Sequence, residues 1–312
     1  MNLPPLTQKD LEDIDFAISQ NFDFLALSFV QSANDVQTLK TILAAKNSDI
    51  AVIAKIELSS ALEDIEAIVE RADGVMVARG DLALEMSFKE IPIAQKRIIA
   101  ICRRKAVPVI TATQMLESMI TASSPTRAEA TDVANAVFDG TDALMLSGET
   151  AIGKYPLQAV ATMSHIAVRA EQAWARGEVP KPPEITPEPT VEGIISYNSC
   201  ITAQHLSAAA IITYARSGGA ARQISRFRPA APILVLTPNA RLYNQLALSW
   251  GVSPIQIERL DNTEAMTQTA INYAQTYDIA YPGDYVVIAS SDPSGPPGKT
   301  NLLKVEQVGS QA

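Results

Sequence analysis

The chain has 312 residues, 47% of them hydrophobic and 19% charged, a balance that suits a soluble globular protein with a full-sized core and room for two domains. Its formal net charge of -9, with no dense Lys/Arg cluster, argues against a nucleic-acid partner, because nothing would release counterions from a polyanion. Two distant cysteines, Cys102 and Cys200, indicate neither a disulfide framework nor a thiolate zinc site, and no run approaches the ~18 apolar residues of a membrane span.

The opening stretch, MNLPPLTQKDLEDIDFA, is acidic and lacks an apolar signal core, so a cytoplasmic location is expected. From residue 22 to 149 short apolar runs alternate with amphipathic stretches: FDFLALSFV, IAVIAKIE, GVMVARGD, PVITATQM and ALMLSGE. That rhythm predicts βα units around a parallel sheet. Each run is apolar on both faces at first and polar at its C-terminal end, where Ser28, Lys55, Glu57, Arg79, Asp81, Thr111, Thr113, Ser147 and Glu149 collect. Ligands of parallel sheets bind at that end. Between the first two runs, SANDVQTLKTILAAK carries an N-cap cluster and sets Val36, Leu39, Ile42 and Leu43 on one helical face. His165 and His205 lie in Ala-rich, helix-like surroundings and are read as structural.

The first segment, 1–175, is followed by RGEVPKPPEITPEPT, residues 176–190, which is too rich in proline for helix or central strand and marks a boundary. Beyond it, in 191–312, AAIITYA, APILVLTP, VSPIQIE and DYVVIASS are strand candidates between helical stretches, and NLLKVEQV alternates as a last strand should. A second, smaller α/β domain is expected there.

Lys55 and Glu57, two apart at a strand end, share one face. They form either a surface ion pair of little worth or a charged pair at the mouth of a buried strand. VMVARGDLALE raises a similar choice for Arg79, Gly80 and Asp81: a polar turn, an adhesion-type loop, or a phosphate and metal site. The buried strand before it argues against adhesion. Glu57 and Asp81, from neighbouring strand ends, suit Mg²⁺, which takes one or two protein carboxylates and fills its shell with water and phosphate oxygens. Gly80 would let backbone N–H groups approach an anion. Thr113 would bind an anion or relay a proton, although a lone threonine there is commonly structural. PSGPPGKT, 293–300, ends like a P-loop, but Pro293 takes the first glycine's place and a strand follows where a helix should start; a surface loop is expected.

At this point IAKIE, MVARGDLALE, PVITATQMLESMI, PTRAEATDVANAVFDGTDALMLSGETAIGKYP and SGGAARQISRFRPAAPILVLTP, in this order, resemble the pyruvate kinase family over nearly the whole chain. The resemblance implies a partial (β/α)8 barrel of about five units followed by a smaller α/β regulatory domain. It implies phosphoryl transfer between phosphoenolpyruvate and ADP, giving pyruvate and ATP, with Mg²⁺ or Mn²⁺ and K⁺. On that basis Lys55 resembles the lysine that stabilises the transferring phosphoryl group, Glu57 and Asp81 the metal ligands, and Lys55, Gly80, Asp81 and Thr113 the substrate contacts. Thr113 and Ser147 would hold the water that protonates the enolate. Such chemistry needs positioning and charge neutralisation, so it requires no histidine.

The family's first three barrel units, its lid domain and its K⁺ ligands have no counterpart here, so the chain is read as the C-terminal part of such an enzyme, dependent on the other half for activity. Ala83 stands where the family has glycine and Leu58 where a polar residue is common. The turn at Ser217, Gly218 and Gly219 is an effector-site candidate for a phosphorylated ligand, without the hydroxyls with which some members bind a sugar bisphosphate. A homo-oligomer, a tetramer in the family, is implied. The competing reading is a non-catalytic, effector-binding or subunit-interaction protein.

Overall fold

Runs such as AVIA at 51–54 offer apolar side chains to both faces, so they are stable only in a sheet covered on both sides. The computed structural model, which describes residues 6–180, 183–260, 262–291 and 300–309, places them in strands of a sheet. The chain divides into two compact units, Met1–Pro183 and Glu184–Ala312, each with its own five-stranded sheet.

In the first unit the elements follow as α1 (Gln8–Ser19), β1 (Phe24–Leu27), α2 (Ala33–Ala45), β2 (Ala51–Ile56), α3 (Ile65–Arg71), β3 (Gly74–Ala78), α4 (Arg79–Glu85), α5 (Ile91–Lys105), β4 (Val109–Ala112), α6 (Arg127–Asp139), β5 (Ala143–Met145), α7 (Gly148–Ala151) and α8 (Pro156–Ala175). All five strands are parallel and lie in chain order, with Leu27 opposite Ala54, Ile56 opposite Val77, and Ala78 opposite Ala112. This register brings every polar strand end to one edge of the unit. Val52, Ala54, Ile56, Val75, Val77 and Val109 pack against the helices. Ala51, Ile53, Met76 and Ile110, on the opposite face, are buried as well. Lys55 and Glu57 continue the face of Ala51 and Ile53, away from the helices, because side chains alternate along a strand.

The helices start where their chemistry allows. Ser32 and Asp35 form a capping box on α2, as Thr7 with Asp10 does on α1 and Thr126 with Glu129 on α6. Val36, Leu39 and Leu43 of α2 are buried. One element was not expected: α4 begins at Arg79, directly after β3, so the Arg-Gly-Asp run is a helical first turn and not an open loop.

The second unit runs α9 (Val191–His205), β6 (Ala210–Tyr214), α10 (Gly219–Ser225), β7 (Ile233–Thr237), α11 (Ala240–Leu246), β8 (Val252–Gln256), α12 (Thr263–Thr276), β9 (Tyr285–Ser290) and β10 (Leu302–Gln307). Its strand order is β10-β9-β6-β7-β8, with β10 antiparallel and the rest parallel. Alternate residues of β6 serve two cores: Ile211 joins residues of α9, α10 and α11, while Ala210, Ile212 and Tyr214 join α12. Helices therefore cover both faces. The P-loop-like segment falls, at 293–299, outside the described residues.

Candidate active site

The parallel register sets Ser28, Lys55, Glu57, Gly80, Asp81, Thr113 and Ser147 at or just past the carboxyl ends of successive strands. Lys55 and Glu57 are a real pair. The Lys55 ammonium lies 2.5 Å from Glu57 Oε1 and donates to Ser28 Oγ at 3.0 Å. The other carboxylate oxygen, Oε2, accepts the Phe29 N–H at 2.6 Å. Glu57 is only 2% exposed, whereas the Lys55 side chain keeps 24%. The carboxylate is thus anchored in the fold and the ammonium faces the rim, which favours the buried strand-end reading over a surface ion pair. Phe29 holds a left-handed φ of 55° and is 63% exposed. Such a conformation costs a bulky residue about 1–3 kcal/mol, and the short bond to Glu57 helps to hold it.

Asp81, in the first turn of α4, is half-buried, and its side chain makes no hydrogen bond or ion pair among the described residues. Asp81 and Glu57 thus follow adjacent strands, β3 and β2, each carrying a carboxylate at its end. No cluster of three or more His, Cys, Asp or Glu suited to a metal occurs among the described residues.

Gly80 and Thr113 differ from the sequence reading in how they are used. The Gly80 N–H, expected to face an anion, donates to Thr113 Oγ1 at 2.8 Å. A Cβ built on Gly80 would meet Thr113 no closer than 3.4 Å, an ordinary contact, so close backbone approach does not explain this glycine. Thr113 Oγ1 in turn donates to Ala112 O at 2.7 Å. Its proton is therefore committed, and only acceptor capacity remains toward the rim. Ser147 N–H donates to Glu149 Oε2 at 2.8 Å.

Arg79 is the residue that the sequence reading missed most fully. Instead of facing a ligand, its side chain is 9% exposed and turns into the unit. Nη1 pairs with Asp132 at 2.6 Å, and Nη2 donates to the carbonyls of Thr113 and Gln114 at 2.7 and 3.1 Å. Glu149, 2% exposed, accepts Leu116 N–H at 3.0 Å. No local pattern announces either contact, since the partners lie tens of residues away.

In the second unit, Gly218 has φ 78° and precedes α10. A Cβ there would come within 2.9 Å of Leu242 Cδ1, so a side chain would be strained at this position. Beside Gly219 stands Glu192, whose Oε1 would lie 3.6 Å from an added Cβ. The turn that holds Ser217 thus faces a carboxylate, which an anionic ligand would have to offset.

A pyruvate kinase barrel-domain family model matches residues 1–160, and a pyruvate kinase alpha/beta-domain model matches 194–306. Pyruvate kinase 2 of Synechocystis is 46% identical over 308 residues, 99% of this chain and 51% of that protein. The Geobacillus stearothermophilus pyruvate kinase is 44% identical over 309 residues, 99% of this chain and 53% of that one. The crystal structure of a pyruvate kinase from Cryptosporidium parvum superposes with a TM-score of 0.88 at 37% identity, covering 98% of this chain and 63% of the other. The chain spans about half the length of the curated relatives it matches.

Proposed function

The chain belongs to the pyruvate kinase family, and on that premise we propose that the strand ends of its first unit form one wall of a site for phosphoryl transfer from phosphoenolpyruvate to ADP. The observation that carries this reading is the Lys55 ammonium, held between Ser28 and a buried Glu57, with Asp81, whose side chain has no partner among the described residues, at the neighbouring strand end. In the reaction the P–O bond to the enol oxygen breaks while a P–O bond to a terminal ADP oxygen forms. The enolate carbon then takes a proton. Lys55, charged and fixed beforehand, neutralises the phosphoryl oxygens in transit without reorganising at the moment of reaction. Glu57 and Asp81 fit Mg²⁺, or Mn²⁺ in its place, and such a cation when bound withdraws charge from phosphate oxygens. Thr113 can accept a hydrogen bond from the water that protonates the enolate, and Ser147 supplies a second hydroxyl at the neighbouring strand end. K⁺, which the family resemblance implies, has no candidate ligand among the residues assigned here.

The finer parts of the proposal are a cytoplasmic setting, a homo-oligomer, and a phosphorylated effector at Ser217, Gly218 and Gly219. The second reading, a non-catalytic subunit-interaction role, draws on one observation: β1 and β5 are edge strands of an open sheet. One experiment separates the two. Turnover of phosphoenolpyruvate and ADP is measured for the chain alone and with the N-terminal half of the Synechocystis relative added in trans. Turnover that appears on mixing and is lost in Lys55→Met supports the catalytic reading. Inactivity, under conditions where the relative's own two halves reconstitute, would overturn it.

A further inference from the structure

Thr113 and Gln114 both hold left-handed backbone conformations, with φ of 66° and 53°, and Thr113 is β-branched, the residue type that least tolerates that region. Two such residues in succession persist only where the surroundings over-determine them. The surroundings here are two buried charges of opposite sign. From one side the Arg79 fork takes the carbonyls of Thr113 and Gln114, its Nε adding a contact to Thr113 O at 3.3 Å. From the other side the Glu149 carboxylate takes Leu116 N–H at 3.0 Å and, through its second oxygen, Ser147 N–H at 2.8 Å. Each charge has a different kind of support. Arg79 is anchored by Asp132 on α6 and lies near Gln95 of α5, whose amide donates to Asp139 at 3.0 Å. Among the described residues, Glu149 has only backbone N–H partners.

We propose that Arg79 and Glu149 are positioning residues that clamp segment 113–116 by its carbonyls and its amide, and thereby fix the Thr113 hydroxyl and Ser147 at the site rim. The clamp joins the ends of three strands: Arg79 follows β3, the clamped segment follows β4, and Glu149 follows β5. A planar guanidinium suits this task because one rigid fork can meet two carbonyls and a carboxylate at once, whereas an ammonium is a single point. The bearing on catalysis rests on the phosphoryl-transfer reading, but the clamp does not.

The test therefore reads the chain's own backbone. Amide hydrogen exchange is followed by NMR in the whole chain and in Arg79→Lys, Glu149→Gln and Asp132→Asn. The reporters are Gly80 N–H, bonded to Thr113 Oγ1, and Leu116 N–H, bonded to Glu149. Arg79→Lys and Glu149→Gln are expected to speed both by about tenfold or more, while amides of β2 change less than about twofold. Asp132→Asn, which loosens only the outer anchor, should give a smaller rise at the same two amides. Unchanged exchange at Gly80 and Leu116 in Arg79→Lys would overturn the proposal, as would full rescue of both reporters by the lysine. Loss of protection throughout β2, β3 and β4 would assign Arg79 to the fold at large and overturn it equally. A failure of the reconstituted turnover would leave these exchange rates as they are, so the two readings fail separately.

Discussion

Gly80 and Gly218 look alike in sequence, each a glycine at the start of a short helix after a strand, yet alanine at the two positions should act in opposite directions. At Gly218 the φ of 78° is the region that costs an L-residue about 1–2 kcal/mol. The new methyl would also stand 2.9 Å from Leu242 Cδ1 and 3.2 Å from Leu246 Cδ2, both in a filled core. Overpacking of that kind costs about 1–3 kcal/mol, and the stiffer unfolded chain returns about 0.4–1 kcal/mol. The net loss expected is about 1–4.5 kcal/mol. At Gly80 no positive φ is required and the methyl would sit at 3.4 Å or more from its neighbours, in a helical turn where alanine is the better residue by about 0.5–1 kcal/mol. The assay is urea unfolding by tryptophan fluorescence, since the chain has two tryptophans, Trp174 in the first unit and Trp250 in the second. A Trp174→Phe background isolates the second unit and a Trp250→Phe background the first. With a slope of about 2 kcal/mol per molar urea, Gly218→Ala should lower its midpoint by about 0.5–2 M and Gly80→Ala should raise its own by about 0.25–0.5 M. A Gly218→Ala midpoint equal to the parent's, or a Gly80→Ala loss as large as that expected for Gly218, would refute the geometric reasoning.

Further expectations concern the site, the acid response and the thiols. In the reconstituted enzyme, Glu57→Gln and Asp81→Asn should each abolish metal-dependent substrate binding, while Lys55→Met should spare binding and remove turnover; equal binding loss in all three, by titration calorimetry, would show Lys55 to be misassigned. Burial pushes the Glu129 carboxyl up, but the Ser118 and Thr126 hydroxyls and amides outweigh it and hold it below the ordinary 4.5. Its stabilising contribution should thus be complete above that value and fade as pH falls through the depressed one, so Glu129→Gln should flatten the acid side of the first unit's urea-midpoint profile. Burial pushes the Cys200 thiol up to about 12 and the Cys102 thiol well above its usual value. An aromatic disulfide reagent at pH 8 should accordingly label neither in the native chain and both in urea; rapid native labelling of either would contradict their burial.

How much of this was legible in the sequence depended on how local the cause was. The strands and the pairing of Lys55 with Glu57 were readable, because a buried parallel strand and its period of two are written in consecutive residues. Capping of α2 by Ser32 was readable for the same reason. Arg79 was not. Its position after an apolar run suggests a cation at the mouth, and only the tertiary fold, which sets Asp132 and the carbonyls of Thr113 and Gln114 behind it, turns the side chain inward. The two glycines were half legible: the sequence marks both, but the sign of φ and the distance to Leu242 belong to the packed structure.

The two sheets also differ in how their margins are finished. In the second unit β8 contains Pro254 and β10 exposes Lys304, devices that make an edge a poor template for another strand. In the first unit β1 reads FLAL and β5 reads ALM, with no proline and no charge. Because the strands are parallel, the β5 margin of one copy set against the β1 margin of another continues the sheet in the same sense and leaves a fresh margin of each kind at the ends. In polymer terms each molecule is a monomer of functionality two, and head-to-tail addition of this kind need not close. Light scattering by the chain should therefore climb with concentration without levelling at a dimer. Capping one end by Ala26→Lys, an exposed position on β1, should reduce the functionality and suppress that climb, whereas the same substitution at a surface site away from both margins should leave it unaltered.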